Sequence, residues 1–433
     1  MSGNVHNNDG FNRTGIKLIL LSVCSWAIFS FTCMNAYSVW VPAVADKIGM
    51  DFADLNMWNT YGGLIAAVAT FAASHVVRKF GSRKTLFVSL GICGLNFLFI
   101  PKCPAAFACF GVALNAVLQV FYGNMSTTVL MKNWYPRKNA VVMGWVTAGT
   151  AIGGFIMLPI FNSAIQSKGL DTAMAIFGIL FIVIAVLDLI LVRDTPEMCG
   201  FDPDGMPMSA EEQKIHLGTK KEKNPWTLKK IFTNKRMVAM SVGWGLELMC
   251  ITGTLSCAIL IMISKGIEQK QAVTIASIGA VLAIIGSVVS GIVADKIGTK
   301  KASMLFIGVQ LVFTFLMVIA GVGQTVIVII GYALVVFMSG SPSNLSATSV
   351  LKLTGARFFT VAWGTIFMVI NLFRAAASSV ISFSLKTSGG YNLALWIFVG
   401  CLVASIVLIH YAGEEYQDPG IEEDDEVYAE DAN

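Results

Sequence analysis

Arg374 sits in the middle of the apolar stretch FMVINLFRAAASSVISF, residues 367–383. Its guanidinium is permanently charged. Burying such a group at the centre of a membrane span costs about 2.5–3.5 kcal/mol on insertion scales, so it must face a cavity or a partner rather than lipid. Asn371, Arg374, Ser378 and Ser382 recur at helical spacing, which sets them on one face. That face can grip an anion, most simply a carboxylate held by two parallel N–H bonds. The competing reading is a structural ion pair.

Glu247, in SVGWGLELMCITG, is a second charge within an apolar run, with Trp244 one turn away. A carboxyl group there is a candidate for proton coupling. It is equally a candidate counter-ion that neutralises Arg374. Asp188 stands near Arg193 and reads as a local pair. Asn115, Gln119, Tyr122 and Ser126 share another helix face, and Asn35, Tyr37 and Ser38 cluster in the first apolar run. These polar groups would form the uncharged walls of a ligand site, or hydrogen bonds between helices with no ligand.

No phosphate-binding glycine loop, HExxH, GxSxG or pair of catalytic acids within a span occurs, which argues against a primary pump and against an enzyme. The nine cysteines form no CxxC pair, and the four histidines (His6, His75, His216, His410) are scattered. The cysteines read as small packing residues, and neither a metal nor a cofactor is expected.

The elements that position these side chains follow from composition. Only 13% of the 433 residues are charged, where a soluble domain carries about 25%. Mean hydropathy is +0.71, so the solvent is a bilayer. Runs near the roughly 20 residues a spanning helix needs occur at 17–44, 54–77, 85–102, 104–131, 139–165, 171–192, 237–264, 269–294, 301–322, 324–351, 358–385 and 390–411. They are too long and too uniformly apolar for barrel strands. The expectation is an all-α membrane protein of twelve transmembrane helices. The polar start MSGNVHNNDGFNRTGIK leads into a long apolar run, read as a retained span rather than a cleaved signal.

With the N-terminus inside, the outer segments hold only Lys47, Lys102, Lys168, Lys265, Lys270 and Lys386 of the basic residues. That bias predicts cytoplasmic termini. One break divides the chain, giving six-helix halves at 1–193 and 236–413 around a cytoplasmic loop at 194–235. The loop carries the basic stretch KKEKNPWTLKK, a solvated linker able to touch anionic lipid. The tail at 414–433 holds ten of the 26 acidic residues and reads as a solubilising cytoplasmic segment. Two turns repeat half a chain apart, VVRKFGSRKTLF at 76–87 and VADKIGTKKASM at 293–304, aligning Gly81 with Gly298.

GIVADKIGTKK, residues 291–301, resembles the loop signature of the major facilitator superfamily, with Gly291, Asp295, Gly298 and Lys300 at the expected spacing. The first copy departs from it, with Ser74 and Arg78 in place of the glycine and the aspartate. The resemblance implies that Asp295 contacts the N-terminus of the fifth span near Lys138, a charge–dipole latch. Arg78 cannot make the matching contact, so an asymmetric latch is expected. NAYSVWVPAVADKIG (35–49), NWYPRKNAVVMGWVTAGTAIGG (133–154) and SPSNLSATSVLKLTG (341–355) resemble the oxalate–formate antiporter family and its monocarboxylate-transporter relatives.

That resemblance implies two halves around a central cavity lined by spans 1, 4, 7 and 10, with spans 5 and 8 meeting between the halves. Small residues suit close approach there: Gly149 and Gly153 in span 5, and Gly279, Ala283, Gly286 and Ser290 in span 8. It also implies that Arg374 is a substrate partner. A second arginine of those proteins falls on Ser287 here, so a monocarboxylate is expected rather than a dianion such as oxalate. The reading is a secondary active transporter of the plasma membrane, expected to be a monomer. It would move a small organic anion by alternating access, coupled to a proton or a counter-anion, with the lipid bilayer as its setting and no nucleic-acid partner. A drug carrier or a neutral-sugar carrier of the same fold is the alternative.

Overall fold

The computed structural model describes residues 12–135, 138–205, 226 and 228–417; no strand occurs among them. The long helices are α1 (Arg13–Asn35), α2 (Phe52–Phe80), α3 (Ser82–Lys102), α4 (Ala105–Trp134), α5 (Val142–Lys168) and α6 (Leu170–Leu191). After the loop come α7 (Lys235–Ser256), α8 (Gln269–Ile297), α9 (Thr299–Ile319), α10 (Thr325–Gly355), α11 (Ala362–Ser388) and α12 (Asn392–Ala412). Each apolar run of the sequence finds a helix. Among the described residues, 11 helices are long and apolar enough to cross a membrane. The exception is α2, whose 29 residues carry polar groups such as Asp54, Asn56, Asn59 and Thr60.

Two runs are broken where the sequence reads as continuous. The first passes through a π-helical stretch, Phe31–Asn35, into the short helix Tyr37–Ile48. The run at 237–264 breaks at Cys257 before the short helix Ala258–Ser264. Further π-helical stretches occur at Val120–Met125 in α4 and Gly153–Met157 in α5. Such wide turns shift side-chain register within an α-helix. The part of the basic stretch before Trp226 and the tail beyond Gln417 lie outside the described residues.

Aromatic packing and close backbone approach at glycine hold the helices of the two sets together. In the first set, Phe31 of α1 stacks on Phe177 of α6 at 4.7 Å and meets Phe161 of α5 edge-on at 5.1 Å, while Phe97 of α3 contacts Phe181 at 5.2 Å. Aromatic pairs of this kind contribute about 0.5–1.5 kcal/mol each beyond area burial. In the second set backbones approach closely at glycine. A Cβ on Gly286 of α8 would lie 1.7 Å from the Phe337 carbonyl oxygen, and one on Gly340 of α10 would lie 2.0 Å from that of Ala283. Gly149 and Gly153 serve the first set, since their missing Cβ atoms admit the Val23 and Ala27 carbonyls of α1. The contact between α5 and α8 instead runs through Gly154, against Ala280.

The repeated turns share a conformation that favours glycine. Gly81 has φ +84 and ψ 159, and Gly298 has φ +87 and ψ 150. Each turn is also capped by an acid that follows the last helix of its set. Asp194 accepts from the Arg83 backbone N–H at 2.9 Å, and Glu414 accepts from that of Lys300. A carboxylate at a helix N-terminus satisfies an orphan donor and complements the helix dipole.

The sets meet at the face remote from residues 13 and 412. There Asn56 of α2 donates to the Ser378 carbonyl at 3.0 Å and to Ser382 Oγ at 3.1 Å of α11, Asn59 donates to Ser378 Oγ at 2.8 Å, and Ser379 donates to Thr60 Oγ1 at 3.0 Å. Lys386 pairs with Asp54 at the rim. At the opposite face Asp295 is exposed and makes no ion pair among the described residues. The Lys138 N–H at the base of α5 donates to Asp204 Oδ1 at 3.3 Å. Among the described residues Asp295 thus makes no such latch as the resemblance implies, while the two sets are in contact at the other end. The side chains of Ser74 and Arg78 lie outside the description.

Candidate functional site

Arg374 lies midway along α11, between the sealed rim and the face that carries the chain ends. Its guanidinium Nη2 donates to Gln119 Oε1 of α4 at 3.4 Å, and its Cζ lies 5.7 Å from the centre of the Phe29 ring of α1. The side chain is partly exposed and has no carboxylate partner among the described residues. A guanidinium has five N–H donors, so most of its donor capacity is free for an anion. Gln119 is held in turn, its Nε2 donating to the Ala116 carbonyl at 2.9 Å.

Glu247 does not pair with Arg374. It is 1% exposed in α7, and its Oε2 has no hydrogen-bond partner among the described residues. The same holds for the Trp244 Nε1 one turn away. Asp188 of α6 is fully buried, with both carboxyl oxygens unpartnered among the described residues, while Arg193 turns to the carbonyls of Ile190 and Val192. The local pair expected between Asp188 and Arg193 does not form. Helical neighbours are three or four positions apart, not five, and the helix ends at Leu191 before Arg193 is reached.

The polar residues of α4 divide. Gln119 reaches Arg374, but Asn115 and Tyr122 are buried within the first set. Asn115 accepts from the Cys93 thiol at 3.3 Å, and the Tyr122 hydroxyl bonds Thr32 Oγ1 at 3.1 Å. The π-helical stretch that starts at Val120 shifts the register between Gln119 and Tyr122, so α-helical spacing misjudges the face. Tyr37 is 1% exposed and donates to Asn56 Oδ1 at 2.8 Å. It belongs to the sealed rim rather than to the surroundings of Arg374. Asn371 folds back on its own helix, donating to the Phe367 carbonyl at 2.9 Å. Of the predicted polar walls, Gln119 is the residue that touches Arg374.

Two features escaped the sequence reading. Asn56, Asn59 and Thr60 form the seal against α11, a role their spacing on one face could have suggested. Ser287, at the place of the second arginine, accepts from Asn344 Nδ2 of α10 through its Oγ at 2.8 Å and its carbonyl at 3.2 Å. The loop motif falls at a helix boundary: Gly298 forms the turn and Lys300 lies in the first turn of α9. Gly291 has open space around it, with nothing within 4 Å of a Cβ built there.

A partly exposed cation thus lies between the two sets of helices. The Major Facilitator Superfamily model matches residues 23–378, and the chain belongs to that superfamily, a family of transport proteins rather than enzymes. The chain is 23% identical to the oxalate:formate antiporter of Oxalobacter formigenes over 181 residues, 41% of each chain. It thus spans about two-fifths of that relative. The hexuronate transporter of Bacillus subtilis is 22% identical over 81% of this chain and 80% of its own. Rat monocarboxylate transporter 12 is 23% identical over 54% of this chain and 46% of its own. Among solved structures, a D-xylose–proton symporter aligns with a TM-score of 0.69 at 12% identity, covering 93% of this chain and 98% of that one. A point mutant of the nucleoside transporter NupG aligns with a TM-score of 0.69 at 15% identity, covering 92% and 100%. At these identities the structural likeness speaks to the fold alone.

Proposed function

We propose that this carrier moves an organic monocarboxylate by alternating access across the plasma membrane, through twelve crossings with both termini cytoplasmic. The observation that carries the reading is Arg374: a mid-span cation, partly exposed, bonded to one neutral amide and to no acid among the described residues. A permanent charge in that position needs water, an anion or another polar group beside it, and one long bond to a neutral amide leaves most of its donors open. Relatives named for oxalate and formate, for hexuronate and for monocarboxylates support a carboxylate cargo. A single charge favours one carboxylate over two.

In this reading the structure is the conformer open toward the cytoplasm, with the α2–α11 seal closing the outside. Glu247 is the proposed proton-coupling group, acting from within the second set and not as the counter-ion of Arg374. Without it, exchange against a second anion would drive transport. Purified protein in liposomes tests the reading by uptake of labelled formate, acetate, lactate and larger carboxylates, with and without a pH gradient. Anion uptake abolished by Arg374→Gln supports it. Uptake of a neutral sugar that is indifferent to Arg374→Gln identifies the alternative carrier and removes the anion.

A further inference from the structure

The surroundings of Arg374 carry more than charge. On α11, Trp363, Phe367, Asn371 and Arg374 recur at intervals of four, four and three residues and so share a face. The Trp363 and Phe367 rings stack at 5.2 Å with 29° between planes, and both are partly exposed. They lie on the side of Arg374 away from the sealed rim. On α1, Trp26 and Phe29 meet edge-on at 5.4 Å, and Phe29 is the ring that faces the guanidinium.

This second pair is built into place. Trp26 Nε1 donates to Thr127 Oγ1 at 3.1 Å, and Phe29 is seated against Gly123, where a Cβ would lie 3.0 Å from the ring. The centre therefore combines one cation, one amide and two aromatic pairs. Resting on the anion reading above, we infer that the cargo is an aromatic monocarboxylate, a ring joined to its carboxylate by a short alkyl chain.

The chemistry sorts the possible anions. A carboxylate takes the free edge of the guanidinium through two parallel bonds. A planar apolar body then packs edge or face against the aromatic rings. Phe367 is seven residues from Arg374, about 10 Å along the helix axis, which matches a ring set a few carbons from its carboxylate. A small acid such as acetate leaves those rings unused. A dianion brings a second charge against ring faces that carry negative potential.

Binding to the purified full-length protein tests the inference, with 3-phenylpropanoate, acetate, oxalate and the neutral 3-phenylpropanol as probes. The expected result is that 3-phenylpropanoate binds at least about tenfold more tightly than acetate, the scale of one well-placed aromatic contact. Phe367→Leu keeps the apolar volume and removes the ring. It should erase most of that preference, and a melting curve like the parent's shows that it folds. Acetate or oxalate binding as tightly as 3-phenylpropanoate overturns the aromatic cargo and leaves the anion reading standing. Equal binding of the acid and the alcohol, both indifferent to Arg374→Gln, overturns the anion reading itself.

Discussion

Arg374 of α11 and Gln119 of α4 meet at 3.4 Å between the two sets of helices, the guanidinium donating to the amide oxygen. The bond is long, and its acceptor is neutral. Gln119 thus orients the cation without neutralising it. A hydrogen bond to a charged group contributes about 1.5–3 kcal/mol when well formed; at this length the lower end applies. Gln119→Ala should weaken carboxylate affinity by about tenfold and leave the maximal transport rate within a factor of about two. Concentration-dependent uptake reads both quantities. An unchanged half-saturation concentration would remove Gln119 from the site.

The seal between α2 and α11 gives a separate prediction about motion. Ser379 Oγ and Thr60 Oγ1 are 3.0 Å apart. A Thr60→Cys, Ser379→Cys double variant should form a disulfide on mild oxidation, because the two hydroxyl oxygens that the sulfurs replace are in hydrogen-bond contact. Transport should stop in the oxidised form and return on reduction. Full activity with the bridge intact would mean that this contact need not open during the cycle.

Glycines separate the demands of folding from those of the transport cycle. A methyl group on Gly286 would collide with the Phe337 carbonyl, whereas Gly291 has free space. Gly286→Ala should therefore lower the melting temperature and the yield, since backbone and not a flexible side chain opposes the added carbon. Gly291→Ala should melt like the parent. If the opposite set closes on this helix in the other conformer, the same variant should slow transport several-fold. A Gly286→Ala protein as stable as Gly291→Ala would contradict the close packing of α8 on α10.

The acids Asp194 and Glu414 cap equivalent helices, so Asp194→Ala and Glu414→Ala should each cost about 1 kcal/mol, read as a lower melting temperature. Next to the second cap, Glu415 is hydrogen-bonded by Arg236, which holds its carboxyl below the usual glutamate range. The contact is fully present above the free-glutamate value of about 4.3 and is lost as the pH falls through the lower folded value. A spin label on Tyr416→Cys should gain mobility only as the pH falls below the free-glutamate range and, with Glu415→Gln added, at neutral pH.

The helices were legible in the sequence because a bilayer demands long apolar runs, and charge placement at their ends bounds them. Arg374 was legible for the same reason: a fixed charge in such a run is costly. Tyr37, Asn115 and Tyr122 were not. Helical spacing gives the face a residue occupies but not the neighbour it meets, and the π-helical stretches at Phe31–Asn35 and Val120–Met125 alter even the face. The pairing of Asn56 and Asn59 with α11 joins residues more than 300 apart in sequence, so local spacing shows that they share a face but not what that face meets. The unpaired state of Glu247 likewise follows from the placement of α7 relative to α11, and not from either segment alone.

The most direct measurement is counterflow of a labelled monocarboxylate in liposomes for the parent, Arg374→Lys and Arg374→Gln. The account predicts exchange by the parent, weakened exchange by the lysine variant, which keeps the charge but loses the two-pronged geometry, and none above background by the glutamine variant at parental folding. Exchange by Arg374→Gln at the parental rate would contradict it.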